Sequence, residues 1–113
     1  MASVNQLVLV DGAISGNTDT AGVSLESLQV DQIGTLVLSA LGAGTSLVVK
    51  IQRSVDNVTW FDWITFAAKT SAVNELVAAT TAGLSYVRAS FAFTGGTTTC
   101  TAKVVLSYDK KSK

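Results

Sequence analysis

The sequence has no histidine and one cysteine, and these two shortages exclude whole classes of chemistry. None of the 113 residues is a histidine, and Cys100 is the single cysteine. A Ser-His-Asp or Cys-His catalytic arrangement needs a histidine, a thiolate zinc site needs several cysteines, and a lone cysteine forms no internal disulfide. We therefore expect no histidine-based or thiolate-based site, and we interpret Cys100 as a small apolar filler in a strand.

Phosphate-binding glycine loops and dinucleotide fingerprints are also absent from the sequence. A carboxylate pair acting as general acid and base is the one catalytic arrangement that the composition leaves open. The acidic residues, however, are scattered singly and mostly at predicted turns, where aspartate commonly forms the turn. They are Asp11, Asp19, Glu26, Asp31, Asp56, Asp62, Glu75 and Asp109. We expect a protein that is not an enzyme and that holds no cofactor or metal.

Charge is scarce, and no long hydrophobic run is present. Lysine plus arginine and aspartate plus glutamate number eight each, and 14% of the residues are charged. Such a chain has no basic face for nucleic acid as its main partner, and no apolar run approaches the ~20 residues of a membrane span. The first residues also lack the basic region of a signal peptide. Yet 48% of the residues are hydrophobic, so we expect other chains to cover part of the apolar surface.

Short β-branched runs between glycine and polar clusters recur throughout the chain, and proline is absent. This pattern predicts an all-β protein, an antiparallel two-sheet sandwich that is jelly-roll-like and has about eight strands. We predict one sandwich domain over residues 1–108 and a basic C-terminal tail over residues 109–113. The predicted strands cover residues 6–10, 23–30, 35–41, 46–53, 59–66, 73–78, 86–93 and 98–108. A loop is predicted over residues 13–22, and a hairpin turn over Thr94–Thr97.

Two strands carry apolar side chains on the face opposite the core. In residues 46–53, Leu47, Val49 and Ile51 share one face, while Val48 lies on the other. In the last strand, Val105 likewise alternates with the predicted core residues. We predict Val48 and Val105 as interface residues.

The segment from Arg53 to Ile64 is the densest feature of the sequence. Strand alternation puts Trp60 and Ile64 on one face, with Asp62 between them, and it puts Phe61 and Trp63 on the other. One interpretation is that Phe61 and Trp63 form an intermolecular patch, because aromatic residues are enriched in interfaces. The other is that a loop of the same chain covers them, with residues 13–22 as the candidate. A β-bulge would exchange the faces of the two tryptophans.

Four pieces of the C-terminal half occur in an order that resembles a known family. Ser54–Trp60 resembles the S-x-D-G-x-T-W hairpin of small phage structural proteins, and it follows the strand Leu47–Gln52. Thr80–Arg88 resembles their T-x-A-G-x-x-Y-V-R segment, and the turn Thr94–Thr97 precedes a final strand. Together these pieces resemble the small jelly-roll or β-sandwich cement (decoration) proteins of tailed bacteriophage capsids. Asn57 stands where the motif usually has glycine, and asparagine tolerates the left-handed conformation.

The resemblance implies a virion structural protein, made in the host cytoplasm and located on the capsid surface. Its partners would be the major capsid protein and itself, as a dimer or trimer, through non-covalent contacts; a membrane is not among them. Two alternatives stay open. One is a phage neck, tail or baseplate component with the same sandwich. The other is a discoidin-like carbohydrate-binding module, which carries a related S-x-D-G-x-x-W motif.

Overall fold

The computed structural model describes residues 3–25, 29–79 and 85–110. Within these ranges the chain forms nine β-strands, and no helix there is long and apolar enough to cross a membrane. The strands are β1 (Ser3–Ser15), β2 (Thr18–Asp19), β3 (Val23–Ser24), β4 (Gln29–Leu41), β5 (Ser46–Ser54), β6 (Phe61–Thr65), β7 (Glu75–Ala78), β8 (Tyr86–Thr94) and β9 (Thr99–Lys110).

The strands form two antiparallel sheets. Sheet A has the order β1-β9-β4-β7, and sheet B has the order β2-β8-β5-β6, with β3 also paired to β8. Because β2 and β3 pair with the same strand, they act as two parts of one interrupted strand, so the nine described strands occupy eight positions in the two sheets. Apart from β2 and β3, only β5 and β6 among the described strands follow each other within one sheet, and the remaining connections pass between sheets. The predicted all-β, jelly-roll-like sandwich is therefore confirmed.

Alternation of apolar and polar residues places the core between the sheets. In β5, Leu47, Val49 and Ile51 are fully buried, and each pairs with an inward residue of β8. Sheet A supplies the opposing layer from β4 and β9. Its fully or almost fully buried residues are Leu36, Leu38, Ala102, Val104 and Leu106. The strands predicted over residues 46–53 and 86–93 are thus confirmed to within one residue.

Cys100 lies buried in β9, at the edge of this core. Burial raises the pKa of its thiol, because a low-dielectric surrounding disfavours the thiolate. A buried neutral thiol behaves as a small apolar side chain. The interpretation of Cys100 as filler in a strand is confirmed.

The hairpin turn predicted over Thr94–Thr97 is wrong, because β8 and β9 lie in different sheets. Gly95 and Gly96 do adopt positive φ angles of 72° and 47°, so the local turn chemistry is right. The turn instead crosses between the sheets and packs on the β4–β5 turn, where the amide of Thr97 donates to the carbonyl of Ala43 at 3.0 Å. A side chain on Gly96 would lie 2.3 Å from that same carbonyl oxygen.

The strand predicted over residues 23–30 is also wrong. Its first part is β3 in sheet B, and its last two residues begin β4 in sheet A; residues 26–28 lie outside the described part. The predicted loop over residues 13–22 contains the end of β1 and the whole of β2. At the C-terminus, β9 runs to Lys110, inside the predicted tail, and residues 111–113 lie outside the described part.

Candidate interaction surfaces

The outer face of sheet A carries apolar side chains across all four strands. One row of paired residues runs from Val8 in β1 through Val105 in β9 and Thr35 in β4 to Leu76 in β7. The next row pairs Ile33 with Ala78. We call this surface the apolar face, and its members are Val8, Ile33, Val37, Leu76, Ala78 and Val105. A contiguous apolar surface of this kind on a single chain commonly marks an interaction site.

The apolar face has a protrusion and a depression side by side. Leu76 on the edge strand β7 is 69% exposed. Beside it lies a depression of about 420 Å³ lined by Thr35, Val37, Asn74, Glu75 and Leu76 itself. Val105, in contrast, is buried in the middle of the sheet. The apolar face therefore has one projecting leucine, Leu76, next to an open hollow.

Two charges of opposite sign border the apolar face. Asp11 in β1 and Lys103 in β9 are opposite each other in the strand register, and both are exposed. Beyond them a second shallow cavity of about 320 Å³ is lined by β1, β4 and β9 residues such as Ala13, Ala40 and Thr101. In the described ranges, no group of three or more histidine, cysteine, aspartate or glutamate residues is placed to hold a metal ion.

The outer face of sheet B is polar and bonded to itself. Arg88 Nε donates to Gln52 Oε1 at 2.8 Å, and Gln52 Nε2 donates to Asp62 Oδ1 at 2.9 Å. At one end of this row of hydrogen bonds, Lys50 Nζ lies 2.8 Å from Asp62 Oδ2. At the other end, Arg88 Nη2 lies 3.5 Å from Asp19 Oδ2. We call this set the polar ladder, and its members are Asp19, Lys50, Gln52, Asp62, Arg88 and Ser90. The hydrogen bonds that Asp62 accepts from Gln52 and Lys50 hold the pKa of its carboxyl group below the usual value.

A β-bulge at Trp63 corrects the predicted faces of β6. Ile64 pairs with Ile51, and Asp62 pairs with Gln52, so Trp63 is an extra residue on its strand. As a result, Asp62 points outward to the polar ladder and does not share the face of Ile64. Trp63 is half-buried and packs against the core, with the guanidinium of Arg53 6.0 Å from its ring centroid.

Hydrogen bonds fix the loop between β5 and β6. Asp56 Oδ1 accepts from the amides of Val58 and Thr59, each at 2.9 Å, and from the Ser54 hydroxyl at 3.0 Å. Ser54 Oγ in turn accepts from the amide of Asn57 at 2.9 Å. These bonds, led by that from Thr59, lower the pKa of Asp56. The turn-capping role that the sequence predicts for Asp56 is confirmed.

Asn57 adopts the left-handed conformation that the resemblance requires, with φ of 63°. Its side chain also lies close to the β2–β3 connection. A side chain on Gly22 would lie 1.9 Å from Oδ1 of Asn57 and 3.1 Å from the ring of Trp60. Trp60 also contacts Arg88, whose guanidinium carbon lies 4.4 Å from the ring centroid. Gly22, the last residue of the predicted loop, therefore lies close to Trp60.

This rigid loop presents exposed apolar side chains. Val58 is 77% exposed, Val55 is 61% exposed, and Phe61 at the start of β6 is 53% exposed. We call these three residues the apolar tip. The exposure of Phe61 favours an intermolecular patch over coverage by the predicted loop. Trp63, in contrast, packs against the hydrophobic core of the same chain.

The structure distributes the four predicted interface residues over different surfaces. Phe61 belongs to the apolar tip, and Val105 belongs to the apolar face. Val48 is half-buried on the outer side of sheet B, and Trp63 packs against the core. As binding residues, all four stay predictions.

Sequence patterns gave no sign of one buried ion pair. Lys69 is buried in the β6–β7 connection, where its backbone exchanges two 2.8 Å hydrogen bonds with Leu47 and its ammonium pairs with Glu75. The carboxylate of Glu75 also accepts from the amide of Ala67 at 2.9 Å. The ammonium of Lys69 holds the pKa of Glu75 below its usual value. A single lysine between strands carries no periodic signal that would predict this pair.

Comparison with known proteins finds likeness in structure alone. No protein-family model matches the chain, and no curated protein matches it. The crystal structure of the PBSX exported protein XepA matches 96% of this chain with a TM-score of 0.63 and 12% identity. The chain spans 38% of the XepA chain. The crystal structure of PirA matches 94% of this chain and 92% of its own, with 8% identity and a TM-score of 0.48. At this identity the XepA likeness shows the fold alone.

Proposed function

We propose that this chain is a virion structural protein, a capsid cement or decoration protein that binds the major capsid protein on the capsid surface. The observation that carries the proposal is the apolar tip, three exposed apolar side chains on a loop that hydrogen bonds hold in place. A rigid loop loses little conformational entropy on binding, so its apolar area contributes more fully to affinity. Phe61 supplies the aromatic anchor that interface hot spots favour.

The fold and the resemblance support the same role. The jelly roll is an architecture of viral capsid domains and of lectins, among many other proteins. Of the matched pieces, Ser54–Trp60 forms the tip loop, and the end of Thr80–Arg88 begins β8, while residues 80–84 lie outside the described part. XepA, a phage-related protein, shares the fold. These observations support a phage protein, and the capsid position is our proposal.

We also propose that the protein is not an enzyme. A general acid that acts near neutral pH needs a carboxyl group whose pKa is raised. In the described part of the chain, the three carboxyl groups with a resolved shift are Asp56, Asp62 and Glu75, and the pKa of each is lowered by hydrogen bonds. Each of them stabilises a turn, the polar ladder or a buried lysine, which is a structural task.

Co-sedimentation with empty capsid shells tests the proposal. We expect the wild type to pellet with shells, and we expect Val58→Asp to weaken that binding by at least about tenfold, a loss of ~1.4 kcal/mol. Val73→Asp is the matched control, because Val73 is also exposed but lies in the β6–β7 connection.

Three results would contradict the proposal. Equal binding by Val58→Asp and the wild type would exclude the tip. Binding to isolated tails and not to shells would favour the neck, tail or baseplate alternative. Specific binding to glycans, without binding to either particle, would favour the carbohydrate-binding alternative.

A further inference from the structure

We infer that two copies of this chain pair through the apolar face of sheet A, with Leu76 of each copy seated in the Thr35–Val37 depression of the other. The inference rests on the proposed function and deepens it, because it names the surface by which the protein associates with itself. The size of the surface, its relief and its charges each favour a second copy as the partner.

The outer side of sheet A, on which the apolar face lies, is close in size to one side of a specific interface. Sheet A has three strands of 12 or 13 residues and one of four residues. At a rise of ~3.4 Å per residue and a strand spacing of ~4.8 Å, these strands span on the order of 700 Å². A standard interface buries about 800 Å² on each partner. A second copy that packs sheet against sheet would cover the whole apolar face.

The relief of the face is complementary to itself. In a two-fold interface, residue i of one copy contacts residue j of the other, and j contacts i. Such symmetry requires that a projection and a matching hollow lie on the same surface. Leu76 projects with 69% of its surface exposed, and the hollow lined by Thr35 and Val37 lies beside it.

The charges on the border also favour a second copy. Asp11 and Lys103 bring opposite signs to one row of the face, and the formal net charge of the chain is zero. A surface with balanced border charges is complementary to itself but not to a strongly charged partner. Low net charge also removes the repulsion that keeps identical chains apart.

Pairing through the apolar face leaves the apolar tip free. The tip belongs to the β5–β6 connection of sheet B, whereas the paired surface is the outer side of sheet A. A dimer therefore presents two tips, and two linked binding sites bind a repeating surface far more tightly than one. This arrangement would let one dimer join two neighbouring capsid subunits.

Sedimentation equilibrium of the full chain tests the inference. We expect a wild-type dimer, and we expect Leu76→Asp to raise the dimer dissociation constant at least about tenfold, because its carboxylate would lie beside Glu75 in a hollow whose surface is mostly apolar. Thr35→Arg fills the hollow itself and should have a similar effect. Val58→Asp, on the tip, is the matched control and should leave the dimer intact. Thermal unfolding of each variant confirms that it folds.

Two results would overturn the inference: a wild type that stays monomeric at millimolar concentration, or a dimer that neither Leu76→Asp nor Thr35→Arg weakens. Shell binding is measured separately on the same proteins. Shell binding by a monomeric wild type would contradict the inferred pairing but agree with the proposed function. Dimers that depend on the apolar face but bind no shells would support the pairing and contradict the proposed function.

Discussion

The two outer faces of this sandwich are built on similar strands and have opposite chemistry. On sheet B, the polar ladder links four strands through side-chain hydrogen bonds and ion pairs, from Asp19 to Asp62. On sheet A, the corresponding row from Val8 to Leu76 is apolar apart from Thr35. Sheet B pairs many of its outer polar residues with one another, whereas sheet A exposes apolar side chains on the outer side of the single chain.

This difference teaches that the inner and outer residues of a strand answer to separate demands. The inner residues of both sheets fill one core, so they are alike in kind. The outer residues are free to differ, because the fold does not depend on them in the same way. A polar outer face suits a surface that stays in water, and an apolar one suits a surface that another chain covers.

We expect the largest loss of stability from breaking the Lys69–Glu75 ion pair at the edge of sheet A, and the Lys50–Asp62 pair in the polar ladder serves as the comparison. Glu75→Ala removes the partly exposed carboxylate that pairs with the buried ammonium of Lys69, and we expect a loss of about 2 kcal/mol, between the values of an exposed and a buried pair. Asp62→Ala removes the partner of the exposed Lys50, and an exposed pair is worth less than about 1 kcal/mol. Urea denaturation of the two variants measures both changes. Equal losses would show that the buried pair has no special weight.

A smaller effect concerns the attachment of the apolar tip to sheet B. Gly22→Ala places a methyl group against Oδ1 of Asn57, so we expect a loss of about 1 kcal/mol as the loop shifts. Asn57→Gly removes the clashing side chain and keeps the left-handed turn. In a double-mutant cycle, Gly22→Ala should therefore cost less in the Asn57→Gly background. Additive changes in the free energy of unfolding would contradict the contact.

The smallest expected effect is a loss of folding stability at low pH, and it arises at Asp56 in the β5–β6 loop and not at the apolar face. The pKa of Asp56 is lowered on folding from its ordinary value of 3.8, so its carboxylate stabilises the folded protein above that pH. The stabilisation is lost as the pH falls through the lower folded pKa. Below pH 3.8, we expect the wild type to lose stability more steeply than Asp56→Asn, as measured by thermal unfolding. Parallel curves for the two proteins would contradict this role.

Local pattern was enough to predict much of the fold. The strands over residues 46–53 and 86–93 followed from strict alternation, and the turn role of Asp56 followed from residue type. The turn Thr94–Thr97 shows where this reasoning stops. Two glycines with positive φ angles fit a hairpin and a crossing between sheets equally well, and packing against the β4–β5 turn decides between them.

The candidate surfaces were predicted in part. The sequence singled out Phe61 and Val105, which lie in the apolar tip and the apolar face. It misplaced Asp62 relative to Ile64, because a bulge adds one residue and reverses the alternation from that point. Leu76 was not recognised, since its exposure depends on β7 being an edge strand, and strand order is a property of the whole chain.

The most direct test of the account introduces one lysine on each outer face and measures the mass of the protein in solution. Ile33→Lys charges the apolar face, and Val48→Lys charges the outer side of sheet B. We expect sedimentation equilibrium to find a monomer for Ile33→Lys and a dimer for Val48→Lys and the wild type. A dimer that survives Ile33→Lys but not Val48→Lys would contradict it.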